Sequence, residues 1–214
     1  MRLLIFKCCL LIIFALFTDL QASSLGTATQ VIGPVSARDA TGALLRLSKH
    51  ADIIQGQTLL LGDGSRVEFR LNDGSFFWVY GPASLTVNSC REEPDDFATE
   101  MYVTYGKIRA ASQSVDNNLS LRINTPTAEI SAVKAEFFLI ASRNETVVAV
   151  SRYKIAVASS DQKIREAHIV FPGEESIVAA GRAPEAPSEL SPRQLRRWIK
   201  NRALSGDKQS IIFR

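Results

Sequence analysis

Cysteine and histidine are nearly missing from this chain, and with them most of the side-chain chemistry that enzymes use. Of three cysteines, Cys8 and Cys9 lie in the first apolar segment, so Cys90 stands alone in the remainder. No intrachain disulfide can form once that segment is removed. Neither early cysteine follows the small residues of a lipoprotein cleavage box, because Ile5, Phe6 and Lys7 precede Cys8, so lipid attachment is not expected. Glu92, Glu93, Asp95 and Asp96 follow Cys90 closely, and their negative charge disfavours a thiolate, so that residue is read as unreactive. The two histidines, His50 and His168, lie outside metal-ligand spacing of another His, Cys or acidic pair. There is no Gly-X-Ser-X-Gly elbow, and Gly62-Asp63-Gly64 has Val67 where a dinucleotide loop needs its third glycine. The acidic residues 92–96 could supply paired carboxylates for glycoside cleavage, but they fall in a predicted loop with no pocket to raise one carboxyl's pKa. The expectation is a protein that is not an enzyme, with no cofactor and no metal.

Long hydrophobic runs are missing too. The only candidate is N-terminal, where the unbroken apolar stretch covers residues 8–17 after Arg2 and Lys7. Crossing about 30 Å of hydrocarbon takes roughly 20 apolar residues, so this stretch is short for a span and has the length of a signal-peptide core. Leu20-Gln21-Ala22 offers a small residue before a cut, which assigns residues 1–22 to a cleavable signal peptide; an uncleaved anchor is the alternative. The mature chain is then expected in the periplasm, secreted across the inner membrane and without a transmembrane span. The formal net charge of +3 is small and, except near the C-terminus, spread along the chain, so no nucleic-acid partner is expected.

What is present is alternation. With 46% hydrophobic and 22% charged residues, the composition suits one folded domain. From Thr29 to Val178 its apolar residues recur at every second position in short stretches, as half-buried strands require. Val67, Phe69 and Leu71 alternate with Arg66, Glu68 and Arg70, and similar patterns run through Met101, Val103 and Tyr105 and through Val148 and Val150. Asp63-Gly64-Ser65 and Asp73-Gly74-Ser75 read as corners, with Asp accepting local backbone bonds and Gly tolerating positive φ; a calcium-binding repeat would need a longer glycine-rich consensus. Residues 89–99 read as a solvated loop. Pro184, Pro187 and Pro192 mark residues 181–192 as an extended linker. Residues 193–214 then read as one short basic amphipathic helix and tail, with Leu195, Trp198 and Ile199 on one stripe and Arg193, Arg196, Arg197, Lys200 and Arg202 on the other face. That segment could dock on its own domain, engage an acidic partner or touch an anionic membrane surface.

The order of segments resembles the FecR domain family. The matching pieces are Val31-Ile32-Gly33-Pro34-Val35, Gly62-Asp63, Val67-Glu68-Phe69-Arg70-Leu71-Asn72-Asp73-Gly74-Ser75, Gly81-Pro82-Ala83-Ser84-Leu85, Tyr105-Gly106-Lys107-Ile108 and Thr125-Pro126-Thr127-Ala128. Each piece is unspecific, but their order and spacing make the match. Where the family continues with Val-Arg-Gly-Thr-X-Phe, this chain has Val133-Lys134-Ala135-Glu136-Phe137-Phe138, and Tyr153 stands where the family usually has a later glycine. The resemblance implies an all-β domain over residues 28–180, a solenoid-like stack of short strands in the periplasm. In FecR-type regulators such a domain hears an outer-membrane receptor and signals to a cytoplasmic anti-sigma segment across one membrane helix. Here the signal segment occupies the place of that cytoplasmic region, so a stand-alone form without anti-sigma or transmembrane segments is expected.

For binding, the candidate residues are aromatic and basic. If Phe77 and Val79 face inward, Phe76, Trp78 and Tyr80 form an outward row suited to a protein surface or to sugar rings, unless neighbouring strands cover both faces. Arg193, Arg196, Arg197, Trp198 and Lys200 form the second candidate set. The leading expectation is a non-enzymatic interaction module of the cell envelope that binds an envelope protein or other component. A peptidoglycan or polysaccharide binder is the alternative, and a β-helical glycan-active enzyme stands third.

Overall fold

The period-two alternation becomes strand almost everywhere it occurs. In a computed structural model of the chain, residues 23–90, 99–112 and 121–191 are described. The expected signal peptide, the acidic residues 92–96 and the basic segment with Arg193, Arg196, Arg197, Trp198 and Lys200 lie outside the described residues. The first six strands are β1 (Ser24–Ile32), β2 (Val35–Arg38), β3 (Leu44–Arg46), β4 (Asp52–Ile54), β5 (Thr58–Leu61) and β6 (Arg66–Leu71). Two long strands follow, β7 (Phe76–Cys90) and β8 (Thr99–Ser112). The rest are β9 (Leu121–Asn124), β10 (Ala128–Ala132), β11 (Ala135–Ala141), β12 (Glu145–Tyr153), β13 (Ile155–Ser159), β14 (Ala167–Val170), β15 (Glu174–Ala179) and β16 (Ser188–Glu189).

The long strands organise the molecule because each serves two sets of neighbours. Residues 76–80 of β7 pair with β6, and residues 83–86 pair with β5. Along β8, residues 106–112 pair with β11, while residues 99–102 pair with β9 in parallel. One connected sheet therefore has two arms. The first runs β4-β1-β6-β7-β8-β11-β12-β15-β16, and the second runs β3-β2-β5-β7-β8-β9-β10-β13-β14. The bend falls at Gly81 and Gly106. A Cβ on Gly81 would run into the Gly62 carbonyl oxygen, and one on Gly106, at φ 130, would meet Ala83. Both corners need glycine because backbone or side chain comes too close for anything larger.

The arms close on one apolar core. Phe69, Phe77 and Phe137 from the first arm and Leu59, Leu85, Ile123 and Ile130 from the second belong to the same buried cluster, and the Phe69 and Phe77 rings stack at 5.1 Å. A polar rivet joins the arms inside it. Thr146 of β12 is fully buried, and its hydroxyl lies 2.8 Å from that of Thr125 and receives the Thr127 hydroxyl at 2.7 Å. Replacing Thr146 with valine keeps the shape but takes the partner of the buried Thr127 hydroxyl, while the Thr125 hydroxyl keeps its bonds with Ala128. The expected cost is about 1–2 kcal/mol, the penalty for one unsatisfied buried polar group, read as a lower urea midpoint at unchanged m-value.

All-β architecture is therefore what the chain adopts. The solenoid-like stacking is not shown: a solenoid repeats parallel rungs, whereas every strand pairing among the described residues is antiparallel except β8 with β9, and the arms grow sideways through hairpins. The sheet is also unclosed, with β3, β4, β14 and β16 at its ends. The expected C-terminal helix falls outside the described residues. The described part of the linker stretch lies against the domain. Glu185 N donates to the Ile177 oxygen, Leu190 N donates to the Gly173 oxygen, and β16 pairs with β15 between them. Pro184 and Pro187 sit on this outermost run, where a missing N–H costs no ladder bond. The two Asp-Gly-Ser corners are turns, with Gly64 at φ 67 and Gly74 at φ 86. Asp73 accepts from Ser75 N and from the Thr99 hydroxyl across the loop.

Candidate binding face

Alternation along β7 sends Phe77 and Val79 into the core, both fully buried, and leaves Phe76, Trp78 and Tyr80 on the outer face, each half-buried. The flanking strands decide what lies beside them. Phe76 sits between Arg70 and Ala111, Trp78 between Glu68 and Arg109, and Tyr80 between Arg66 and Lys107. Beyond β8, Phe138 of β11 pairs with Arg109 and Glu136 with Ala111.

These side chains lie flat across the sheet. The Arg109 guanidinium covers the Trp78 ring at 4.2 Å from its centroid and lies 5.9 Å from that of Phe138. Its Nη2 and Nε both donate to Glu136 Oε1, at 2.6 and 3.0 Å, while Arg152 approaches the other carboxylate oxygen at 3.8 Å. Phe76 tilts against Trp78 with centroids 4.4 Å apart. On the other flank, Arg66 donates to Gln30 Oε1 at 2.6 Å and pairs with Glu68 at 3.0 Å, and its Nε is buried without a hydrogen-bond partner. Arg66 and Arg109 are each only 7% exposed, although they stand on the outer face. The arginine stems shield apolar ring area while paired carboxylates hold the charged heads, so rings and guanidinium groups are fixed before any partner arrives. At the two ends of the row, Arg70 and Lys107 are exposed and make no ion pair among the described residues.

Farther across the same face, Glu175 of β15 lies opposite Ala149. Burial, followed by the negative charge of Glu185, pushes its carboxyl above the usual glutamate range. A raised acid pKa in the folded state means that this group opposes folding once it ionises, and that the opposition fades as pH falls through the folded value towards the unfolded one. Glu175→Gln should therefore raise the melting temperature at neutral pH. The gain should shrink as the pH is lowered towards about 4.3, the unperturbed glutamate pKa; thermal melts across that range check it.

Among the described residues no group of three His, Cys, Asp or Glu side chains could hold a metal ion, and no helix is long and apolar enough to cross a membrane.

Residues 57–155 match the family model described as FecR protein. Just under half of the chain thus carries the FecR likeness. The matched span runs from the start of β5 into β13 and contains Phe76, Trp78, Tyr80, Arg109, Glu136 and Phe138. Two crystal structures, both described as a candidate anti-sigma factor from Parabacteroides distasonis, resemble this chain's fold with a TM-score of 0.53. Their sequences are 14% and 16% identical to this one, a level at which the likeness speaks for the fold alone. Each match covers 66% of this chain and 63% or 64% of the other, so the chain spans under two thirds of their length. No curated protein matches it.

Arg109, Glu136 and Phe138 were not singled out from the sequence. Glu136 and Phe138 alternate with the inward Phe137 and Leu139, so their outward direction was legible, and Glu136 marks a departure from the family's usual segment. That Glu136 meets Arg109 depends on the pairing of β11 with β8, which no local pattern encodes.

Proposed function

We propose that this FecR domain is a non-enzymatic interaction module of the cell envelope, exported through residues 1–22 to the periplasm, which binds a protein partner through the outer face of β7. The observation that carries this reading is Arg109, clamped between Trp78 and Phe138 and pinned by Glu136. Tryptophan, tyrosine and arginine dominate protein-binding hot spots, and groups already immobilised lose little entropy on association. Exposed Arg70 and Lys107 at the ends of the row favour a partner with acidic groups around an apolar centre. The neighbours described as candidate anti-sigma factors support a regulatory role with a protein partner.

A cell-wall polymer fits this face less well. Sugar rings stack on open aromatic faces, whereas the Arg109 guanidinium already lies over Trp78 and Phe76 leans against it. The strand edges offer less area: β3 exposes Leu44 and Leu45 but is three residues long. The immobilised domain should retain an envelope protein that Trp78→Ala and Tyr80→Ser variants lose, with their far-UV circular dichroism unchanged. Sedimentation of the purified domain with protein-free cell wall, abolished by the same substitutions, would instead establish the polymer binder.

A further inference from the structure

Among the described residues four strands end the sheet, and three of them carry a device that discourages further pairing. β3 and β4 are three residues long and hold Arg46 and Asp52, while β16 has two residues, with Glu189 among them and Pro187 just before. Short length, charge and proline are the usual protections of an exposed edge. β14 contains no proline and no Asp, Glu, Lys or Arg. Its four residues, Ala167–Val170, pair with β13 without a bulge and with no other strand among the described residues. An antiparallel strand turns alternate backbone N–H and C=O groups away from its neighbour, so β14 offers a row of them to a further strand.

The side chains along this edge are apolar and differ in size. Val170 is buried, Ala167 and Ile169 face outward, and Phe171 continues the outward row just beyond the strand. Ile169 is 44% exposed and Phe171 51%. Two such edges fit each other. With two copies antiparallel and centred on Ile169, the two Ile169 side chains meet, and Ala167 of each copy faces Phe171 of the other, small against large on both sides of the centre. Glu166 then falls opposite Pro172 and Arg165 opposite Gly173, so no like charges face each other directly. Pro172, which has no N–H to donate, stays outside the ladder. A centre at His168 would set Glu166 against Val170, and a centre between two residues would put outward side chains opposite inward ones.

We propose that two copies of this chain join through β14, antiparallel about Ile169, so that one sheet runs from β13 across both β14 strands to β13 of the second copy. A ladder this short buries little area, so the dimer is reversible and dissociates in the micromolar range or above. Along the sheet β8, β9, β10 and β13 separate β14 from β7, so this inference and the proposed function stand or fall independently.

Sedimentation velocity of the purified chain should show a dimer that grows with concentration and is lost in Ile169→Glu. That variant should keep its far-UV circular dichroism, because Ile169 lies on the outer side of the edge. Cysteines then read the register. In a background with Cys8→Ser, Cys9→Ser and Cys90→Ser, Ile169→Cys should form an interchain disulfide under mild oxidation several-fold faster than Leu44→Cys on the β3 edge. Ala167→Cys and Phe171→Cys proteins should cross-link when mixed and far more slowly alone. A monomer at every concentration, a dimer indifferent to Ile169→Glu, or cross-linking through Ile169→Cys no faster than through Leu44→Cys would overturn the proposal. A monomer whose β14 amides all resist hydrogen exchange would assign the edge to another segment of the same chain, and also overturns it.

Discussion

Phe77→Ala should destabilise the domain by about 3–5 kcal/mol, the range for removing a phenylalanine from a closed core. Phe77 is fully buried, stacks on Phe69 at 5.1 Å, and lies on β7 where that strand joins β6 and β8. Its loss opens a cavity between the arms that strands held on both sides cannot collapse to fill. The next residue is the control. Trp78→Ala removes a larger side chain from the outer face, where water fills the space, and should cost far less, chiefly the contacts with Arg109 and Phe76. Urea denaturation of the two variants measures the contrast. Equal costs would mean that the outer face is covered as fully as the core, and would remove the basis for a binding surface there.

Glu136→Ala should be the most damaging change on the outer face, at about 3 kcal/mol, because removing one partner of a largely buried ion pair leaves the other charge uncompensated. Arg109 and Glu136 side chains are 9% and 12% exposed and meet at 2.6 Å, so neither can turn to water without giving up its packing. Arg152, 60% exposed, can take solvent in place of the lost carboxylate and adds little to the cost. The double variant Arg109→Met with Glu136→Leu should recover most of the stability, since apolar groups of similar volume replace a buried pair at small net cost. Partner binding should not recover with it, because the guanidinium that holds Trp78 is gone. Chemical denaturation and the envelope pull-down, run on the same three proteins, separate those outcomes.

A large part of the fold was legible residue by residue. Alternation in residues 66–71 and 76–80 assigned both faces of β6 and β7, and the Asp-Gly-Ser corners marked their turns, because a strand's side-chain direction and a turn's φ are local properties. The outward row Phe76, Trp78 and Tyr80 belongs to this class. The solenoid expectation failed for a different reason. Short alternating strands look alike whether their neighbours are parallel rungs or hairpin partners, and only the pairing list tells them apart. Residues 181–191 carry a linker's composition, yet they lie along β15 because that edge still had backbone groups to satisfy.

The sequence by itself determined the strand character, the inward and outward sides of β6 and the start of β7, the glycines of the two Asp-Gly-Ser turns and the family likeness, all of which depend on near neighbours in the chain. Tertiary structure alone decided that β7 and β8 each serve two arms and that Arg109 crosses Trp78 to reach Glu136. Each of those depends on contacts between residues far apart in sequence, where periodicity carries no information about which strand will be the neighbour.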